Sequence, residues 1–557
     1  MRRSAMLGVI GLVGSLALVA MPATAAPSAI GVHNPLLKEA LAEEEEPDTD
    51  DPAQSALCQS YLGHPNPYGN PAPNIDQIVG DTVVPVGSQA GCSAAQNETT
   101  IAVNPRNPRN IVAGANDYRR FNARENRNDS SSFAYTSFDG GHSWTNVEIP
   151  GLTLTSGGTG AFNWFDGSGD PVVAFGPRNT VYFASLLFSR SAPLGGQDAS
   201  AIVVNTSYDG GLHWSGPRVV AMNGVTADGT PAVTHIFNDK PWIAADPSNG
   251  RVYVTWTKFT YDNDDNYLES PIMESASADF GTHFATPVRI PPSLTGFPGG
   301  ITPYDQGSNP QVGNDGRLYV AYEASVCATA ACDGAGDRDA TVVATSTDHG
   351  RTFRHAIVDT NYDFPDTLTG ENFRLNSYPQ LAYDRVDEKL TVVWSDDRNG
   401  LYDATTGASV RTNGDNVVSA SGNGKNWSRP LVVGTPQDEF FSAVAAHDGK
   451  VAIASYTRHY DRNGINLDFA YWAASGTQSL SRAATQRITT VSENPQVQFI
   501  TVEPDGTEVQ GVFIGDYSAV AIGNDLRIHP CWTDFRGRPG VNTPNQDAYT
   551  QSIQLRR

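Results

Sequence analysis

Basic residues are scarce in this 557-residue chain, which has 37 Lys and Arg against 60 Asp and Glu and a formal net charge of −23 at pH 7. Contact with nucleic acid or with an anionic membrane requires a basic face. Charged residues of either sign make up only 17% of the chain. The composition therefore argues against nucleic acid as a partner and against docking on an anionic membrane.

Long apolar runs are also lacking, apart from one near the N-terminus. Residues 7–20 are apolar, follow Arg2 and Arg3, and precede the small-residue sequence Ala-Thr-Ala at 23–25. A basic start, a short apolar core and a small-residue cleavage site are typical of a secretory signal peptide rather than of a membrane span. We expect residues 1–26 to be this signal, and the protein to be a secreted, extracellular monomer without a membrane span.

Cysteine is rare, with five residues, and the chain contains neither a CxxC pair nor an HExxH sequence. A zinc site therefore has no support in the sequence. In an exported chain, cysteines are expected to form disulfides. We predict that Cys327 pairs with Cys332, and Cys58 and Cys92 are candidates for a second pair. Cys531 lies inside a strand-like run and is expected to be a buried free thiol.

Glycine and proline are abundant, with 53 and 36 residues, which favours many turns between short strands over helical bundles. Apolar residues make up 39% of the chain, enough for a sizeable core. Residues 27–78 differ, because they are rich in Ala, Pro, Glu and Asp and include the acidic run 43–46. We expect this segment to be a solvated linker and residues 79–557 to form the folded domain.

One short sequence recurs along the chain, with the pattern Ser-x-Asp-x-Gly-x-x-aromatic. Copies begin at Ser137, Ser207, Ser277 and Ser346, which lie 70, 70 and 69 residues apart, and a shortened copy begins at Ser421. Strand-like runs flank each copy, so the repeat is predicted to be a hairpin turn in which the Asp accepts backbone N–H groups and the Gly takes a positive φ. A near-constant period of this length is typical of a repeat architecture.

Two further strand-like runs precede each copy, which gives units of four antiparallel strands. Such units, repeated around an axis, form a β-propeller. We count seven units, which predicts an all-β propeller of seven four-stranded blades, with six blades as the alternative. The last unit lacks a fourth strand, and the early run at 81–86 is the candidate to supply it and close the ring.

The repeated turn resembles the Asp box, or BNR repeat, of sialidase-like β-propellers, and the resemblance covers roughly residues 97–555. It implies a secreted, sialidase-like glycoside hydrolase acting on extracellular carbohydrate, with the boxes themselves serving the fold rather than the site. Two alternatives stay open. One is a polysaccharide lyase acting on uronate-containing glycans, and the other is a non-catalytic propeller that binds glycan or protein.

Strand alternation predicts which face of the propeller holds a site. The repeated turns join third and fourth strands, so the opposite face, here called the top face, carries the starts of the first strands and the ends of the second strands. Polar residues concentrate at both places. The candidates are Glu98, Asp170, Asp239, Glu439, Asp516 and Tyr517 at the starts, and Arg119, Arg398, Arg458 and Arg536 at the ends. Either they line a cleft for a carboxylate or polyol, or they pair with one another between blades.

The resemblance to sialidases implies catalytic roles for five of these residues. Tyr517, followed by Ser as in that family, would be the nucleophile, which suits an anionic substrate because a neutral nucleophile does not repel it. Glu98 or Glu439 would assist the Tyr. Asp170 or Asp239 would serve as the general acid or base.

The resemblance also implies substrate-binding residues. Arg398, Arg458 and Arg536 would form the triad that holds the substrate carboxylate, with Arg119 and Asp516 as further binding candidates. In sialidases an Arg-Ile-Pro sequence stands on the first inner strand. Here it stands at 289–291, on an expected outer strand, and the seven units also exceed the six blades usual in that family.

No cofactor is required by any of these readings. One oxygen-rich loop is a candidate for calcium, because Asp262, Asp264 and Asn266 place oxygen ligands close together on the top face. The loop lacks the Gly and the full spacing of an EF-hand, so a solvated loop is the alternative.

Overall fold

The computed structural model is a ring of seven antiparallel sheets, each with at least four strands, which confirms the prediction of a seven-bladed β-propeller. The innermost strands of neighbouring blades contact one another all the way round, and the seventh returns to the first. The structure describes residues 74–79, 95–125, 127–190, 194–290, 302–329, 338–362, 367–371, 373–403, 409–461, 464–494, 499–502, 508–511, 513–536 and 546–556. The predicted signal peptide and Cys58, Cys92 and Cys332 lie outside these residues.

The first four blades follow one another along the chain, each running from its innermost to its outermost strand. Blade 1 consists of β2 (Gln96–Val103), β3 (Ile111–Asn122), β4 (Arg127–Ser137) and β5 (Thr145–Glu148). Blade 2 consists of β6 (Gly167–Phe175), β7 (Val181–Phe188), β8 (Ser200–Ser207) and β9 (Arg218–Asn223). Blade 3 consists of β10 (Ile236–Ala245), β11 (Val252–Tyr261), β13 (Ile272–Ser277) and β14 (Val288–Ile290), with β12 (Tyr267–Glu269) paired to β11. Blade 4 consists of β15 (Asp305–Val312), β16 (Leu318–Val326), β17 (Arg338–Ser346) and β18 (Arg354–Thr360).

The last three blades complete the ring. Blade 5 consists of β19 (Gln380–Asp384), β20 (Lys389–Asp396), β23 (Asp415–Ser421) and β24 (Leu431–Val433). Blade 6 consists of β25 (Glu439–His447), β26 (Lys450–Thr457), β27 (Asp468–Ser475) and β28 (Gln486–Arg487). Blade 7 consists of β31 (Ala519–Ile522), β32 (Arg527–Asp534), β33 (Asp547–Thr550) and β1 (Ile75–Asp76), with β34 (Ile553–Gln554) also paired to β32. Outside the blades are the hairpins β21 (Leu401–Tyr402) with β22 (Ser409–Arg411) and β29 (Phe499–Val502) with β30 (Glu508–Gly511), and the 3₁₀ turns Gly160–Trp164, Pro177–Asn179 and Thr477–Arg482.

The ring is closed by the N-terminal strand β1, which pairs antiparallel with β33 of blade 7. The sequence offered residues 81–86 as the closing strand, but the strand that pairs with β33 consists of residues 75–76, inside the segment expected to be linker. Residues 81–86 lie outside the described residues. A two-residue strand carries no alternation of polar and apolar residues, so the pattern at 81–86 was the only visible candidate.

The core lies where the faces of neighbouring blades pack against each other. Tryptophans fill much of it, and Trp256, Trp394 and Trp532, from the second strands of blades 3, 5 and 7, are almost completely buried. A buried indole N–H requires a partner. Trp394 and Trp532 donate to carboxylates two residues further on, and Trp256 donates to Asn238, with N–O distances of 2.9, 2.9 and 3.0 Å. Cys531 is a buried free thiol, as predicted.

The repeated turns join third and fourth strands, as predicted, and share one hydrogen-bond pattern. In the first, the Ser137 hydroxyl accepts the Gly141 amide at 2.9 Å, and Asp139 Oδ1 accepts the amides of His142 and Ser143 at 2.9 and 3.0 Å. Gly141 has φ +89°, a conformation that glycine adopts without strain. The turns therefore stabilise the face opposite the candidate site.

Candidate functional site

A distortion recurs where the innermost strands begin on the top face. The register shifts within β2, β6, β10, β15 and β25, which marks a bulge in each. At each bulge one residue has a positive φ: Glu98, Asp170, Lys240, Gly307 and Phe441. Four of the five are not glycine, and such strain persists only where the surrounding structure enforces it. In blades 1 to 3 the strained residues are charged.

These residues meet others at the axis to form what we call the axial cluster: Glu98, Asp170, Asp239, Lys240, Arg374, Asp516 and Tyr517. The structure thus brings together four of the five predicted catalytic residues and the predicted binding residue Asp516. They come from the starts of first strands in blades 1, 2, 3 and 7, which is where strand alternation placed them. Arg374 comes from the connection between blades 4 and 5.

Glu98 and Asp170 form a carboxyl pair whose side chains hydrogen-bond to each other. Asn116 positions both, because its Nδ2 donates to Glu98 Oε2 at 2.9 Å and its Oδ1 accepts the Asp170 amide at 2.8 Å. Burial, followed by the charges of Asp170 and Asp516, raises the pKa of Glu98 well above its ordinary value. Burial and the charge of Asp239 raise the pKa of Asp170 to about 6. Burial and the neighbouring carboxylates therefore both favour the protonated form of the pair.

Asp516 is the ionised carboxylate of the cluster. Its oxygens accept Arg374 Nε and Nη2, each at 2.9 Å, and Lys240 Nζ lies 3.1 Å from Asp516 Oδ2 and 3.1 Å from Asp239 Oδ2. Burial opposes ionisation, but the charges of Arg374 and Lys240 outweigh it and hold the pKa of Asp516 below its ordinary value. Both cations that line this part of the axis are therefore neutralised by carboxylates.

Tyr517 lies beside the carboxyl pair, and its buried hydroxyl has no hydrogen-bond partner among the residues that the structure describes. Its ring packs edge-on against Trp242, with centroids 5.3 Å apart. Burial, followed by the charges of Asp170 and Glu98, raises the pKa of Tyr517 well above its ordinary value. An unpaired buried hydroxyl costs about 1–3 kcal/mol, which makes it a candidate for a group that gains its partner from a ligand.

A small cavity opens between the ionic and the aromatic side chains of the axis. Its aromatic walls are Trp242, Tyr378, Phe441 and Tyr517. Tyr378 lies against Gly307, where a Cβ would come within 2.3 Å of the ring, so only glycine at this bulge leaves room for that wall. A few convergent polar groups meet an apolar lining here, and the cavity volume of about 20 Å³ leaves room for roughly one water molecule.

Hydrogen bonds from blade 5 hold the far side of the cavity. Asn376 Nδ2 donates to the Asp516 carbonyl at 2.9 Å, and Gln380 Nε2 donates to the Ser518 carbonyl at 2.7 Å. Ser518 in turn donates to the Phe441 carbonyl of blade 6 at 2.7 Å. Three blades are therefore tied together around Tyr517, which fixes its position.

The contacts of Glu439 are separate from those of the axial cluster. It lies in blade 6, where its carboxyl accepts the Thr435 amide and the hydroxyls of Thr435 and Thr457 at 2.9, 2.7 and 2.7 Å. Burial raises its pKa to about 8. Of the two glutamates proposed to assist Tyr517, the structure therefore places Glu98 beside it.

The four predicted arginines bind carboxylates near their own strand ends. Arg119, Arg398 and Arg536 each form a two-point ion pair with an Asp two residues earlier, Asp117, Asp396 and Asp534. Arg458 pairs with Asp438 at 2.9 Å and with Glu371. Asp396 and Asp534 also accept the buried Trp indoles, so each completes a Trp–Asp–Arg chain within one blade. This is the pairing that the sequence left open as the alternative to a carboxylate-binding triad.

Two members of the axial cluster, Lys240 and Arg374, were not predicted from the sequence as site residues. Lys240 was visible, because it directly follows Asp239 at the start of a first strand, but a lysine there gave no chemical signal of its own. Arg374 lies in an irregular connection and meets a partner 142 residues away. No spacing rule predicts such a contact.

The candidate calcium loop is closed by its own hydrogen bonds. Asp262 Oδ1 accepts the amides of Asp264 and Asn266 at 2.8 and 3.0 Å, and Asn266 Nδ2 donates to the same carboxylate. Within the described ranges no three His, Cys, Asp or Glu side chains are placed to hold a metal ion. Calcium binding remains a prediction. The Cys327–Cys332 pairing also remains one, because Cys332 is not among the described residues.

No helix among the described residues is long and apolar enough to span a membrane.

Comparisons with known proteins give only distant likenesses. No family model matches the chain, and no curated protein matches it. Similar solved structures include a Hadza microbial sialidase, 12% identical over 81% of this chain and 75% of that one, with a TM-score of 0.40. A Dyadobacter fermentans protein of unknown function is 13% identical over 87% and 100%, with a TM-score of 0.40. A Penicillium chrysogenum alpha-L-arabinanase is 12% identical over 65% and 88%, also with a TM-score of 0.40. Likeness at this level carries no argument about activity.

Proposed function

We propose that this protein is a secreted glycoside hydrolase acting on extracellular carbohydrate, and that its reacting groups are Tyr517, Glu98 and Asp170. The observation that carries the proposal is the unpartnered hydroxyl of Tyr517 beside the buried, hydrogen-bonded carboxyl pair of Glu98 and Asp170. Glycoside hydrolysis needs a nucleophile, a proton donor and a proton acceptor within one site. The axial cluster contains all three.

Asp170 and Glu98 divide the proton transfers, with their roles exchanged relative to those that the resemblance implies. Asp170 accepts the proton of Tyr517 as the phenolic oxygen bonds to the anomeric carbon. The protonated Glu98 gives its proton to the glycosidic oxygen as the bond from that oxygen to the anomeric carbon breaks. Water then attacks the glycosyl-tyrosine, Glu98 takes the proton of that water, and Asp170 returns its proton to Tyr517. All groups thereby regain their starting states.

A non-catalytic glycan- or protein-binding propeller is the second candidate, and one observation favours it. The arginines of the top face are paired with carboxylates rather than converging on an open pocket. The lyase alternative needs an arginine to hold a uronate carboxylate, and the same pairing weakens it.

The test is hydrolysis of a panel of fluorogenic glycosides, a sialoside included, by the chain from residue 27 onward and by two Tyr→Phe variants. Tyr517→Phe should lose at least 100-fold in kcat. Tyr182→Phe is the matched control, because that hydroxyl is also buried and without a partner in the described part of the chain but lies in the core of blade 2. Equal activity in both variants would remove Tyr517 from the mechanism. Glycan binding without turnover would favour the second candidate.

A further inference from the structure

A second cavity lies on the axis between the axial cluster and the bottom face, the face opposite the top face. We call it the lower cavity. Its volume is about 280 Å³, against about 20 Å³ for the cavity beside Tyr517. Trp242 and Gln380 line both cavities and therefore form the boundary between them. A volume of this size holds several water molecules or one small ligand.

The walls of the lower cavity come from the innermost strands of all seven blades. Each of these strands has a hydrogen-bonded neighbour on one side only, the second strand of its own blade. The opposite edge, which faces the axis, therefore carries backbone N–H and C=O groups that strand pairing leaves free. No carboxylate is present among the described side chains that line the cavity. The lower cavity thus offers hydrogen-bond donors without a negative side chain.

Arg385 is the one charged side chain among the described residues that line the lower cavity. It directly follows β19 of blade 5 and lies at the end of the cavity that is nearest the bottom face. Its Nη2 donates to the Val312 carbonyl at 2.8 Å and its Nη1 donates to Asn314 Oδ1 at 3.2 Å, both in blade 4. Both acceptors are neutral, and no carboxylate of the described chain forms an ion pair with this guanidinium. The arginines of the top face differ, because each of them contacts a carboxylate.

The charge of Arg385 is incompletely compensated. Burial lowers the pKa of Arg385, and the charge of Asp246 offsets this only in part. The carboxylate of Asp246 is bound within its own turn, where Oδ1 accepts the Ser248 amide at 2.8 Å and Oδ2 accepts Asn249 Nδ2 at 2.7 Å. A buried cation without a bound anion costs free energy. An anion that enters the lower cavity would remove part of this cost.

The guanidinium of Arg385 is held in place before any ligand binds. Its central carbon lies 5.8 Å from the centroid of the Tyr383 ring, and two hydrogen bonds fix its Nη atoms to blade 4. Its Nε has no partner among the described residues, so donors remain for a ligand. A guanidinium fork matches the paired oxygens of a carboxylate or a phosphate. A group that is already ordered loses little entropy on binding.

We infer that the lower cavity is a binding site for a small oxoanion, held by the guanidinium of Arg385 and by free backbone amides of the innermost strands. The inference does not depend on the proposed hydrolase function, because the site lies on the other side of Trp242 and Gln380 from the small cavity beside Tyr517. An inorganic ion such as phosphate and a small organic carboxylate share this chemistry, and the experiment separates the two sources.

The experiment is calorimetric titration of the chain from residue 27 onward with inorganic phosphate, with sulfate and with acetate, at one constant ionic strength set by sodium chloride. We expect saturable binding at one site per chain, with a Kd of about 1 mM or lower. Binding of phosphate and sulfate supports an inorganic ion as the ligand, and binding of acetate alone supports a carboxylate. Because the chain has a formal net charge of −23, its overall field repels anions and does not produce such binding. Absence of binding for all three ions would overturn the inference.

Arg385→Gln should weaken the binding at least tenfold. Arg317→Gln is the matched control, because Arg317 lies in the turn after the innermost strand of blade 4 but pairs with Asp315 at 3.0 Å and does not line the cavity. It removes the same charge from the same face and should change the Kd less than twofold. Equal weakening in both variants would assign the binding to long-range attraction and overturn the inference.

A second variant decides the matter where Arg385→Gln does not fold. Arg385→Lys keeps the positive charge but loses the planar fork, and it should weaken phosphate or acetate binding at least threefold. Unchanged binding in this variant would overturn the role of the guanidinium.

Discussion

Arg374 holds both carboxylate oxygens of Asp516, with Nε and Nη2 each 2.9 Å from an oxygen. Arg374 lies in the connection between blades 4 and 5, and Asp516 lies just before the first strand of blade 7. The ion pair therefore ties the connection between blades 4 and 5 to the start of blade 7. Because the Asp516 side chain is only 1% exposed, loss of its partner would leave a buried charge without full compensation.

Replacing this arginine is expected to destabilise the propeller. Arg374→Met should lower the free energy of unfolding by about 2 kcal/mol at pH 7, less than for a fully buried pair because Lys240 remains. The control is Arg317→Met, whose partner Asp315 is half-exposed, with an expected loss below about 1 kcal/mol. Urea denaturation of both variants measures the difference, and equal losses would contradict the assignment.

The same pair predicts a dependence on acid. The pKa of Asp516 is lowered in the folded state, so its stabilisation is present above the unfolded pKa of about 4 and is lost as pH falls below it. The stability difference between the unaltered chain and Arg374→Met should therefore shrink between pH 5 and pH 2. Urea midpoints across this range test the sign. A difference that grows with acid would show that another group is responsible.

The proposed mechanism makes activity depend on the ionisation of Asp170. Its pKa is raised to about 6, chiefly by burial, so a base at this position is lost as pH falls below that value. We expect kcat/KM to fall about tenfold for each pH unit well below 6. Asp170→Asn should lose most activity at every pH. A profile that is flat between pH 4 and pH 7 would exclude Asp170 as the base.

The sequence predicted the parts of this site that follow from repetition. Glu98, Asp170, Asp239 and Tyr517 were found because each stands at the same place in a repeating four-stranded unit, where a polar residue interrupts an apolar strand. The pairing of Arg398 and Arg536 with aspartates of their own strands could not be predicted in this way. An Asp two residues earlier on the same strand end is compatible with a pair or with a shared pocket, and side-chain direction decides between them.

A buried glutamate far from the axis gives a second pH-dependent prediction. Glu274, in the third strand of blade 3, lies against Gly350, and its Oε1 has no partner among the described residues. Burial, followed by the charge of Asp348, raises its pKa to about 9. Since the folded state favours the protonated form, stability is highest below the unfolded pKa of about 4.3 and falls as pH rises towards 9.

Glu274→Gln should therefore stabilise the protein at pH 8 and change little at pH 4. Between pH 4 and pH 8, the variant should remove a decrease in the free energy of unfolding of at most about 1.4 kcal/mol per pH unit. Glu388→Gln, at an exposed position, serves as the control and should change stability by less than about 0.5 kcal/mol at either pH. Chemical denaturation at the two pH values measures the effect. A loss of stability at pH 8 would mean that Glu274 is ionised in the folded state.

The repeated turns predict that an amide can replace the aspartate but that alanine cannot. Asp139 Oδ1 accepts two backbone amides, and in the shortened copy Asn423 Oδ1 accepts two, from Lys425 and Asn426, at 2.9 Å each. Asp139→Ala should cost about 1–2 kcal/mol and Asp139→Asn less than half of that. Thermal unfolding of both variants tests the order. Equal costs would show that the carboxylate charge matters rather than the acceptor oxygen.

The closing strand predicts that a few N-terminal residues decide the stability of the whole ring. Asn74 Nδ2 donates to the Ile488 carbonyl near blade 6 at 2.8 Å, and Asn74 Oδ1 accepts Arg536 Nη2 at 3.0 Å. The Gln77 carbonyl accepts Asn146 Nδ2 of blade 1 at 2.8 Å. Ile78 is 3% exposed and packs in the core between blades 7 and 1. A chain that begins at residue 79 should be less stable by about 4 kcal/mol than one that begins at residue 74, from lost apolar burial and hydrogen bonds. Removal of residues 556 and 557 from the other end is the control, because Arg556 is exposed.

Amide exchange provides a second measurement of the same prediction. Because the pairing of β1 with β33 closes the ring, the shorter chain should lose protection from amide exchange first in β33 and β2, on either side of this pairing. Equal stability of the two chains would show that the ring closes without β1.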